Sequence, residues 1–275
     1  MNNRLINTKV AGGGGGCTDI VDNYDPFGDS SGVALYQLNG DATDESGNHN
    51  GTVGGTLTYV NGVFGQAGDF DGSTTVISPT NSLTLTDRTF SAWVKFDSFD
   101  KFILGTDPDY AGANSYGSWD IITYPTQIDF NADLYDPVTG TNSAIRLSNN
   151  LSLNTWYHIV FTAADNDLKA YINGEYQTPI SDTSRNIGTI DITNVNIGRT
   201  RDSSTNSSTS RYYFDGQLDQ VRIFNRVLTP LEVEALYTEE LCICDGTVDT
   251  LDILGDGSCI ATYQLDGNAN DLSGN

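Results

Sequence analysis

The sequence is short of basic residues, with 13 Lys and Arg against 36 Asp and Glu and a formal net charge of −23. Proteins that bind a bare phosphate backbone present a basic patch, so this deficit argues against a nucleic-acid partner. Glutamate is also scarce, because 30 of the acidic residues are Asp and 6 are Glu. Asp favours turns, caps and hard cations. The acidity therefore has two interpretations: many turns in an all-β protein, or oxygen ligands for calcium.

Long apolar runs are missing as well. No stretch approaches the roughly 18 residues that cross a membrane as a helix, so we expect no membrane insertion. The N-terminal segment 1–10 lacks the continuous apolar core of a signal peptide, which predicts a protein without a visible export signal.

Cysteine is absent from the body of the chain. The four cysteines are Cys17, Cys242, Cys244 and Cys259. Pairing of Cys244 with Cys259 and of Cys17 with Cys242 is one interpretation, and four free thiols are the other. A zinc site is only weakly indicated. Structural zinc usually shows two tight pairs of ligands, whereas this chain has one Cys-x-Cys and two distant cysteines. The redox state of these thiols stays open.

The chain repeats part of itself. Residues 17–48 and 244–275 agree at 17 of 32 positions without a gap, where unrelated sequences would agree at roughly two. The offset matches the size of one large β-sandwich. We therefore predict a flexible N-terminal arm with a run of five glycines over residues 1–32, one sandwich domain over 33–240, and a linker with the start of a second repeat over 241–275.

Short stretches of alternating apolar residues, separated by turn residues, begin at residue 33 and predict β-strands. The stretch Thr89–Phe96 is the clearest, with one apolar face and a second face that we also expect to be covered. Asn173-Gly174 predicts a tight hairpin turn followed by an antiparallel strand over Glu175–Ile180. The Asp-, Asn- and Gly-rich stretch 40–55 predicts a long loop.

One helix is predicted near the end of the domain. Thr229-Pro-Leu-Glu232 combines an N-cap residue, a proline in the first turn and a glutamate three residues after the cap. The helix should run to about Tyr237 and bury Leu231, Ala235 and Leu236.

Six motifs follow one another in the order found in a known family. They are Ala34-Leu-Tyr-Gln-Leu-Asn-Gly40 with Asp44-Glu-Ser-Gly-Asn48, Phe64-Gly-Gln-Ala-Gly-Asp-Phe-Asp-Gly72, Phe90-Ser-Ala-Trp-Val-Lys95, Thr155-Trp-Tyr-His-Ile-Val160, Ala170-Tyr-Ile-Asn-Gly174, and Phe214 to Leu228. Over about residues 33–237 the chain resembles the laminin-G-like jelly rolls of the concanavalin A-like lectin/glucanase superfamily. The resemblance implies an all-β fold, a two-sheet antiparallel jelly-roll sandwich with one short C-terminal helix.

The resemblance also implies a metal site. Similar family members often bind a structural calcium where the first and last strands approach each other. The candidate ligands carried over are Asp44, Asn48, Asp71 and Asp219, with backbone carbonyls completing the shell. Loops of the Asp-x-Ser-Gly-Asn kind also form turns without metal, so both interpretations remain open.

Catalytic residues are not predicted. The glucanase side of the superfamily uses closely spaced carboxylates, and this chain has no Glu-x-Asp-x-x-Glu run. A ligand-binding surface is predicted instead from aromatic residues beside Asp and Asn, because their rings can stack on sugars. The candidates are Tyr110, Tyr116, Trp119 and Tyr124, with packing in the core as the alternative.

These observations predict a non-enzymatic virion structural or appendage protein, such as a fibre, tail or capsid-decoration protein, located in the virion. Its lectin-like module would contact a host-surface glycan, other virion proteins or copies of itself. The resemblance extends to repeats of this kind in phage structural proteins. The alternative is a secreted or cell-surface bacterial adhesin with a carbohydrate-binding module.

Overall fold

The computed structural model describes residues 18–19, 21–106, 119–132, 143–184, 187–201 and 211–241. The four cysteines, the glycine run and the second repeat copy lie outside these residues. The chain divides into two units, residues 1–19 with 241–275, and residues 20–240. The second unit contains the two large sheets and the helix.

The described strands are mostly short. The first eleven are β1 (Thr18–Asp19), β2 (Gly32–Tyr36), β3 (Gly51–Gly54), β4 (Thr58–Asn61), β5 (Gln66–Asp71), β6 (Val76–Pro79), β7 (Thr84–Leu85), β8 (Arg88–Phe96), β9 (Lys101–Thr106), β10 (Asp120–Thr123) and β11 (Gln127–Asn131). The others are β12 (Ala144–Ser148), β13 (Trp156–Ala164), β14 (Asp167–Ile172), β15 (Glu175–Tyr176), β16 (Ser181–Asp182), β17 (Ile190–Asp191), β18 (Val195–Ile197), β19 (Arg199–Arg201), β20 (Arg211–Tyr213), β21 (Asp215–Phe224) and β22 (Glu240–Leu241). A 3-10 helix spans Ile192–Asn194, and one α-helix, α1, spans Pro230–Thr238.

Two eight-stranded sheets form the sandwich. The front sheet has the order β16-β12-β11-β10-β9-β18-β6-β3. The back sheet has the order β15-β14-β13-β8-β21-β5-β4, with β2 also paired to β21. The pairs that build both sheets are antiparallel. The predicted jelly-roll sandwich with one short helix is confirmed, although β3 forms inside the stretch that was predicted to be one long loop.

Strand β8 shows why the two sheets hold together. Phe90, Ala92, Val94 and Phe96 alternate along it and lie in the core between the sheets, as predicted. The opposite face is also covered, because Trp93 is only 5% exposed. Coverage of both faces explains why this strand carries apolar residues at successive positions.

Strand β21 is the centre of the back sheet, because it pairs with β8, β5 and β2. Its register against β8 shifts between Asp219 and Arg222, and Gln220 adopts a positive φ of 50°. This extra residue is a β-bulge. As a result Asp219 pairs with Trp93 and Arg222 with Ser91, on the face turned away from the core.

The hairpin turn and the helix follow the predictions in part. Asn173 and Gly174 have φ values of 54° and 80°, as a tight hairpin turn requires, but the returning strand is only two residues long. Helix α1 begins with the predicted capping box, in which Thr229 accepts the backbone N–H of Glu232.

The buried face of α1 differs from the prediction at one position. Ala235 and Leu236 are buried as predicted, together with Val233. Leu231 is 77% exposed, so its predicted burial is wrong. At about 100° per residue, Leu231 lies about 200° around the helix from Val233 and so faces away from the sandwich. Among the described residues no helix has the length and apolar character of a membrane span.

Candidate functional site

Asp44, a predicted calcium ligand, organises the loop between β2 and β3. Its Oδ1 accepts the backbone N–H groups of Leu35 at 2.9 Å and Ser46 at 3.1 Å. Its Oδ2 accepts the N–H of His49 at 2.9 Å and the hydroxyl of Ser46. A carboxylate has about four acceptor sites, so protein donors use them all. Asn48, the second predicted ligand, is exposed in the same loop.

Asp71, the third predicted ligand, holds the turn after β5. Its carboxylate accepts the backbone N–H groups of Ser73, Thr74 and Thr75 at 2.8 to 3.0 Å, and the hydroxyls of Ser73 at 3.0 Å and Thr74 at 2.6 Å. Burial alone would raise the pKa of Asp71, but these hydrogen bonds lower it well below its usual range. The side chain therefore acts as an ionised turn cap.

Asp219, the fourth predicted ligand, is fully buried on the outer side of β21. Its Oδ2 accepts the backbone N–H groups of Val63 at 2.7 Å and Phe64 at 2.8 Å, whereas its Oδ1 is buried without a hydrogen-bond partner. Burial raises the pKa of Asp219 to about 7; the two N–H donors oppose this rise and the nearby Glu239 adds to it.

The four predicted ligands thus lie in three places: Asp44 and Asn48 in the loop after β2, Asp71 in the turn after β5, and Asp219 on β21. In the part of the chain that the structure describes, no three His, Cys, Asp or Glu residues are grouped so that they could hold a metal ion. Asp44 and Asp71 serve as turn-forming residues, which was the alternative interpretation of their sequence. The calcium site stays a prediction.

The four aromatic residues predicted to bind a ligand differ in their surroundings. Tyr110 and Tyr116 lie outside the described residues. Trp119 is fully buried, with its ring edge-on to Phe90 at 6.2 Å between centroids and beneath the guanidinium of Arg88 at 5.7 Å. This placement corrects the prediction, because a ring without an exposed face cannot stack on a ligand. Trp119 is a core residue, which was the alternative interpretation of its sequence.

The fourth aromatic candidate, Tyr124, is half-buried in the turn between β10 and β11, beside a row of residues on the outer face of the front sheet. Successive strands pair Phe102 with Ile122, Ile122 with Asp129, Asp129 with Arg146, and Arg146 with Ser181. Directly opposed residues share one face of a sheet. The core-facing residues of these strands alternate with them. We call Phe102, Ile122, Asp129, Arg146 and Ser181 the outer row.

The charges of the outer row are locked together. Arg146 binds Asp129 through two hydrogen bonds, Nε to Oδ1 and Nη2 to Oδ2, both 2.7 Å long. The amide of Gln127 supports Asp129 at 3.2 and 3.3 Å. This hydrogen bonding with Asp129 raises the pKa of Arg146. The side chain of Arg146 is 46% exposed and that of Asp129 only 11%, so the guanidinium faces solvent as a fixed, planar group.

Aromatic rings extend the outer row at its β9 end. The ring of Tyr212, 47% exposed, lies 6.0 Å from that of Phe102 with an interplanar angle of 36°. Burial, followed by the charge of Asp129, raises the pKa of Tyr124, and Arg146 opposes this rise. The backbone N–H of Tyr124 donates to the carbonyl oxygen of Gln127 at 2.8 Å, which joins Tyr124 to the start of β11.

A glycine lets Tyr212 reach this position. Tyr212 lies on β20, which pairs with β19 in a two-stranded sheet that packs against β9. At Gly105 of β9, an added Cβ would lie 2.4 Å from Cβ of Thr200 and 2.6 Å from the carbonyl oxygen of Arg199. Only a residue without a side chain allows β19 to approach so closely.

Beyond Arg146, the other end of the outer row opens into a shallow depression of about 340 Å³. Asn131, Ser181 and Thr183 line it with an amide and two hydroxyls. The face therefore offers an exposed ring at one end, a guanidinium fork in the middle and small polar groups at the other. This combination suits a ligand with apolar ring faces and many hydroxyls.

Sequence reasoning missed most of this face. Phe102, Arg146 and Tyr212 are far apart in sequence, and only the strand register brings them together. One signal was readable: Gln127, Asp129 and Asn131 alternate with the buried Ile128 and Phe130, which marks a polar outer face on β11.

Comparison with known proteins agrees with this fold. Residues 70–234 match the profile of the concanavalin A-like lectin/glucanases superfamily. No curated protein sequence matches the chain. A solved structure of botulinum neurotoxin type C, whose cell entry depends on interaction with two ganglioside molecules, is similar with a TM-score of 0.52 and 16% identity. The match covers 76% of this chain and 51% of that chain.

Two further structures have the same kind of likeness. The binding domain of Paraclostridial Mosquitocidal Protein 1 has a TM-score of 0.51 and 18% identity over 74% of this chain and 51% of its own. Domain 4 of AbnA, a GH43 extracellular arabinanase from Geobacillus stearothermophilus in complex with arabinotriose, has a TM-score of 0.49 and 20% identity over 74% of this chain and 97% of its own. The chain spans about half the length of the two toxin chains. At these identities the likeness shows the fold.

Proposed function

Because the chain belongs to the concanavalin A-like lectin/glucanase superfamily, we propose that it is a non-catalytic module that binds a glycan on the outer row of its front sheet. The observation that carries this proposal is the single cross-strand row in which the Arg146–Asp129 pair lines a polar depression and the tilted rings of Phe102 and Tyr212 lie at the other end. Proteins bind sugars by stacking aromatic rings on the sugar rings and by planar side chains that form several hydrogen bonds with the hydroxyl groups.

Three described carboxylates, Asp69, Asp71 and Asp219, are poorly suited to hydrolysis. Glycoside hydrolysis needs one carboxyl that can donate a proton and a second one close by. The pKa of Asp71 is held low by the turn that it caps, and Asp69 accepts the amide of Gln217 at 2.5 Å. Asp219 has a raised pKa, but it is fully buried and out of reach of a polysaccharide.

A relative of similar fold also supports a glycan ligand. Cell entry of botulinum neurotoxin type C depends on its interaction with two ganglioside molecules, which are glycolipids. The likeness is one of fold, so it supports the ligand class and leaves the identity of the sugar to the residues of this chain.

We propose further that the module belongs to a virion fibre, tail or capsid decoration. There it would contact a host-surface glycan and neighbouring virion proteins or copies of itself. The repeat of residues 17–48 at 244–275 supports a serial arrangement, in which several weak sites gain avidity. The second candidate is a secreted or cell-surface bacterial adhesin, which the same binding face would serve.

The binding proposal is tested with the full chain on a glycan array, followed by titration calorimetry of the sugars that bind. Tyr212→Ala removes the exposed ring of the face and should weaken binding about 3- to 10-fold, the usual contribution of one aromatic contact. Tyr176→Ala is the matched control, because Tyr176 is a half-exposed tyrosine of the back sheet that stacks on Tyr171 at 5.8 Å. It should leave the affinity unchanged.

Absence of binding to every glycan on the array would refute the proposed function. Equal losses in Tyr212→Ala and Tyr176→Ala would refute the assignment to the outer row. Location is tested separately by mass spectrometry of purified virions: detection of the chain supports the virion proposal, and glycan binding without virion association supports the adhesin.

A further inference from the structure

The charge balance of the outer row restricts the sugars that it can accept. We infer that its ligand is a neutral glycan, and that sialylated or sulfated glycans are excluded. This inference rests on the proposed function, because it names the ligand class of the same site.

Arg146 is the cation of the row, and its charge is already neutralised. The carboxylate of Asp129 takes both Nε and Nη2 at 2.7 Å in the bidentate geometry that an anionic sugar would itself need. An incoming carboxylate or sulfate would either displace Asp129, which is largely buried and also held by Gln127, or bind the remaining N–H groups of Arg146 beside the negative charge of Asp129, which repels it. Such a displacement would leave a buried charge without its partner, which is costly.

A neutral sugar needs no such displacement. A guanidinium has five N–H donors, so three remain after the bidentate pair with Asp129. The 46% exposure of the Arg146 side chain makes this side of the group available to solvent. These donors suit hydroxyl and ring oxygens. Ser181 adds a hydroxyl that can donate and accept, whereas the hydroxyl of Thr183 donates to the carbonyl oxygen of Ala144 at 3.1 Å.

Three other described cations have partners outside the outer row. Arg222 binds Glu239 at 3.1 Å, and Arg226 binds both Asp29 and Glu232 at 2.7 Å. Lys95 lies over the ring of Trp156 on the back sheet, 5.4 Å from its centroid. None of them belongs to the outer row.

The whole chain adds to this local balance. With a net charge of −23, the protein repels an approaching anion at long range. A site that selects an acidic sugar against such a field would need a surplus of positive charge. The outer row has one positive and one negative side chain, and therefore none.

The inference is tested on an array and by calorimetry with matched sets of oligosaccharides. Each set contains a neutral glycan, its sialylated derivative and its sulfated derivative. The wild-type chain should bind the neutral member at least tenfold more tightly than either acidic member. The preference should be larger at 50 than at 300 mM NaCl, because salt screens the repulsion between the acidic chain and the acidic sugars.

Asp129→Asn is the informative variant. It keeps the size of the side chain but leaves the charge of Arg146 unpaired, so the ratio of sialylated to neutral binding should rise by tenfold or more. The gain should weaken at high salt. Asp167→Asn is the control, because it removes the same unit of charge from an ion pair with Lys169 on the back sheet. It should leave the ratio unchanged.

The outcomes separate the two proposals. Absence of any glycan binding refutes the proposed function. Preference of the wild type for an acidic member refutes the neutral-ligand inference and leaves the function intact. An equal ratio in Asp129→Asn and Asp167→Asn also refutes the inference.

A second variant covers the case in which Asp129→Asn does not fold. Arg146→Gln removes both the charge and the fork, so neutral binding should weaken while acidic binding stays at background. Loss of an acidic-glycan signal in Arg146→Gln would show that Arg146 had served as an anion site. Lys169→Gln, which removes one positive charge from the back sheet, should leave the neutral preference unchanged.

Discussion

Individual aspartates have different structural roles in this protein, although all were candidate calcium ligands in the sequence. Asp71 is an ionised turn cap with three backbone donors, and Asp44 accepts backbone N–H groups in the loop after β2. Asp219 is buried with one oxygen unpartnered. The turn-forming aspartates could be expected from their neighbours Ser, Thr and Gly. The burial of Asp219 could not, because it depends on Val63 and Phe64, which lie more than 150 residues away.

Asp219 predicts an unusual dependence of stability on pH. Its pKa is about 7 in the folded protein and about 3.9 in an unfolded chain, so the folded state binds the proton more tightly. The stabilisation is complete below the unfolded value and is lost as the pH rises through about 7. Between pH 5.5 and pH 8 the loss should be about 2 kcal/mol, or several degrees in melting temperature. Thermal melts across this range measure it.

Asp219→Asn should remove this part of the pH dependence, because an amide keeps the acceptor for Val63 and Phe64 and cannot titrate. Asp167→Asn, at an exposed position, is the control and should melt with the wild-type dependence. If the wild type and Asp219→Asn lose the same stability between pH 5.5 and pH 8, Asp219 does not titrate in this range.

At the scale of elements, local patterns were readable and long-range register was not. The capping box of α1 and the Asn173-Gly174 turn follow from four and two adjacent residues. The burial of Leu231 was predicted wrongly, because the sandwich packs on only one side of α1 and the sequence does not specify which. The outer row depends on four strand pairings, none of which the sequence alone determines.

The capping box predicts a measurable contribution to stability. Thr229→Ala removes the side chain that accepts the N–H of Glu232, and it should lower the free energy of unfolding by about 1 kcal/mol. Chemical denaturation at fixed pH measures the change. Leu231→Ala in the same helix should cost far less, because Leu231 is exposed. A larger loss in Leu231→Ala would contradict the placement of the helix.

The close contact at Gly105 makes the position of Tyr212 in the proposed binding face depend on the packing of β19 against β9. In Gly105→Ala, the new Cβ would meet Thr200 at 2.4 Å, so β19 and its partner β20 must shift and move Tyr212. Glycan affinity should fall at least as much as in Tyr212→Ala. Gly28→Ala is the control: its Cβ would meet nothing within 4 Å, and its cost is confined to the positive φ of 65°. Calorimetry on both variants compares them.

At the scale of the whole molecule, the net charge of −23 also affects stability. Like charges destabilise a compact state, and salt screens them. Burial opposes ionisation of Asp71 and Asp191, but the hydrogen bonds of their turns lower the pKa of both, so both carboxylates keep their charge and add to this repulsion. The all-β class followed from composition and motifs, since Asp, Gly and alternating apolar residues all favour turns and strands.

Salt and calcium are therefore tested together. Raising NaCl from 20 to 500 mM should increase the melting temperature, because self-repulsion weakens. If the predicted calcium site exists, chelation should lower the melting temperature and calcium should restore it beyond the effect of magnesium at equal ionic strength. Equal effects of the two cations would remove the calcium site and leave only screening.

The contacts of Arg222 have a mechanical consequence. Its guanidinium binds the carbonyl oxygens of Asn23 at 2.6 Å and Val21 at 3.2 Å, and the carboxylate of Glu239 at 3.1 Å. The chain thus enters and leaves the 20–240 unit within reach of one side chain, on the outer side of β21. Tension applied through the flanking segments would load this contact and the back sheet first. The front sheet, which carries the outer row, would lie outside the path of this force. A ligand bound at the proposed site would therefore stay bound while the chain is under tension.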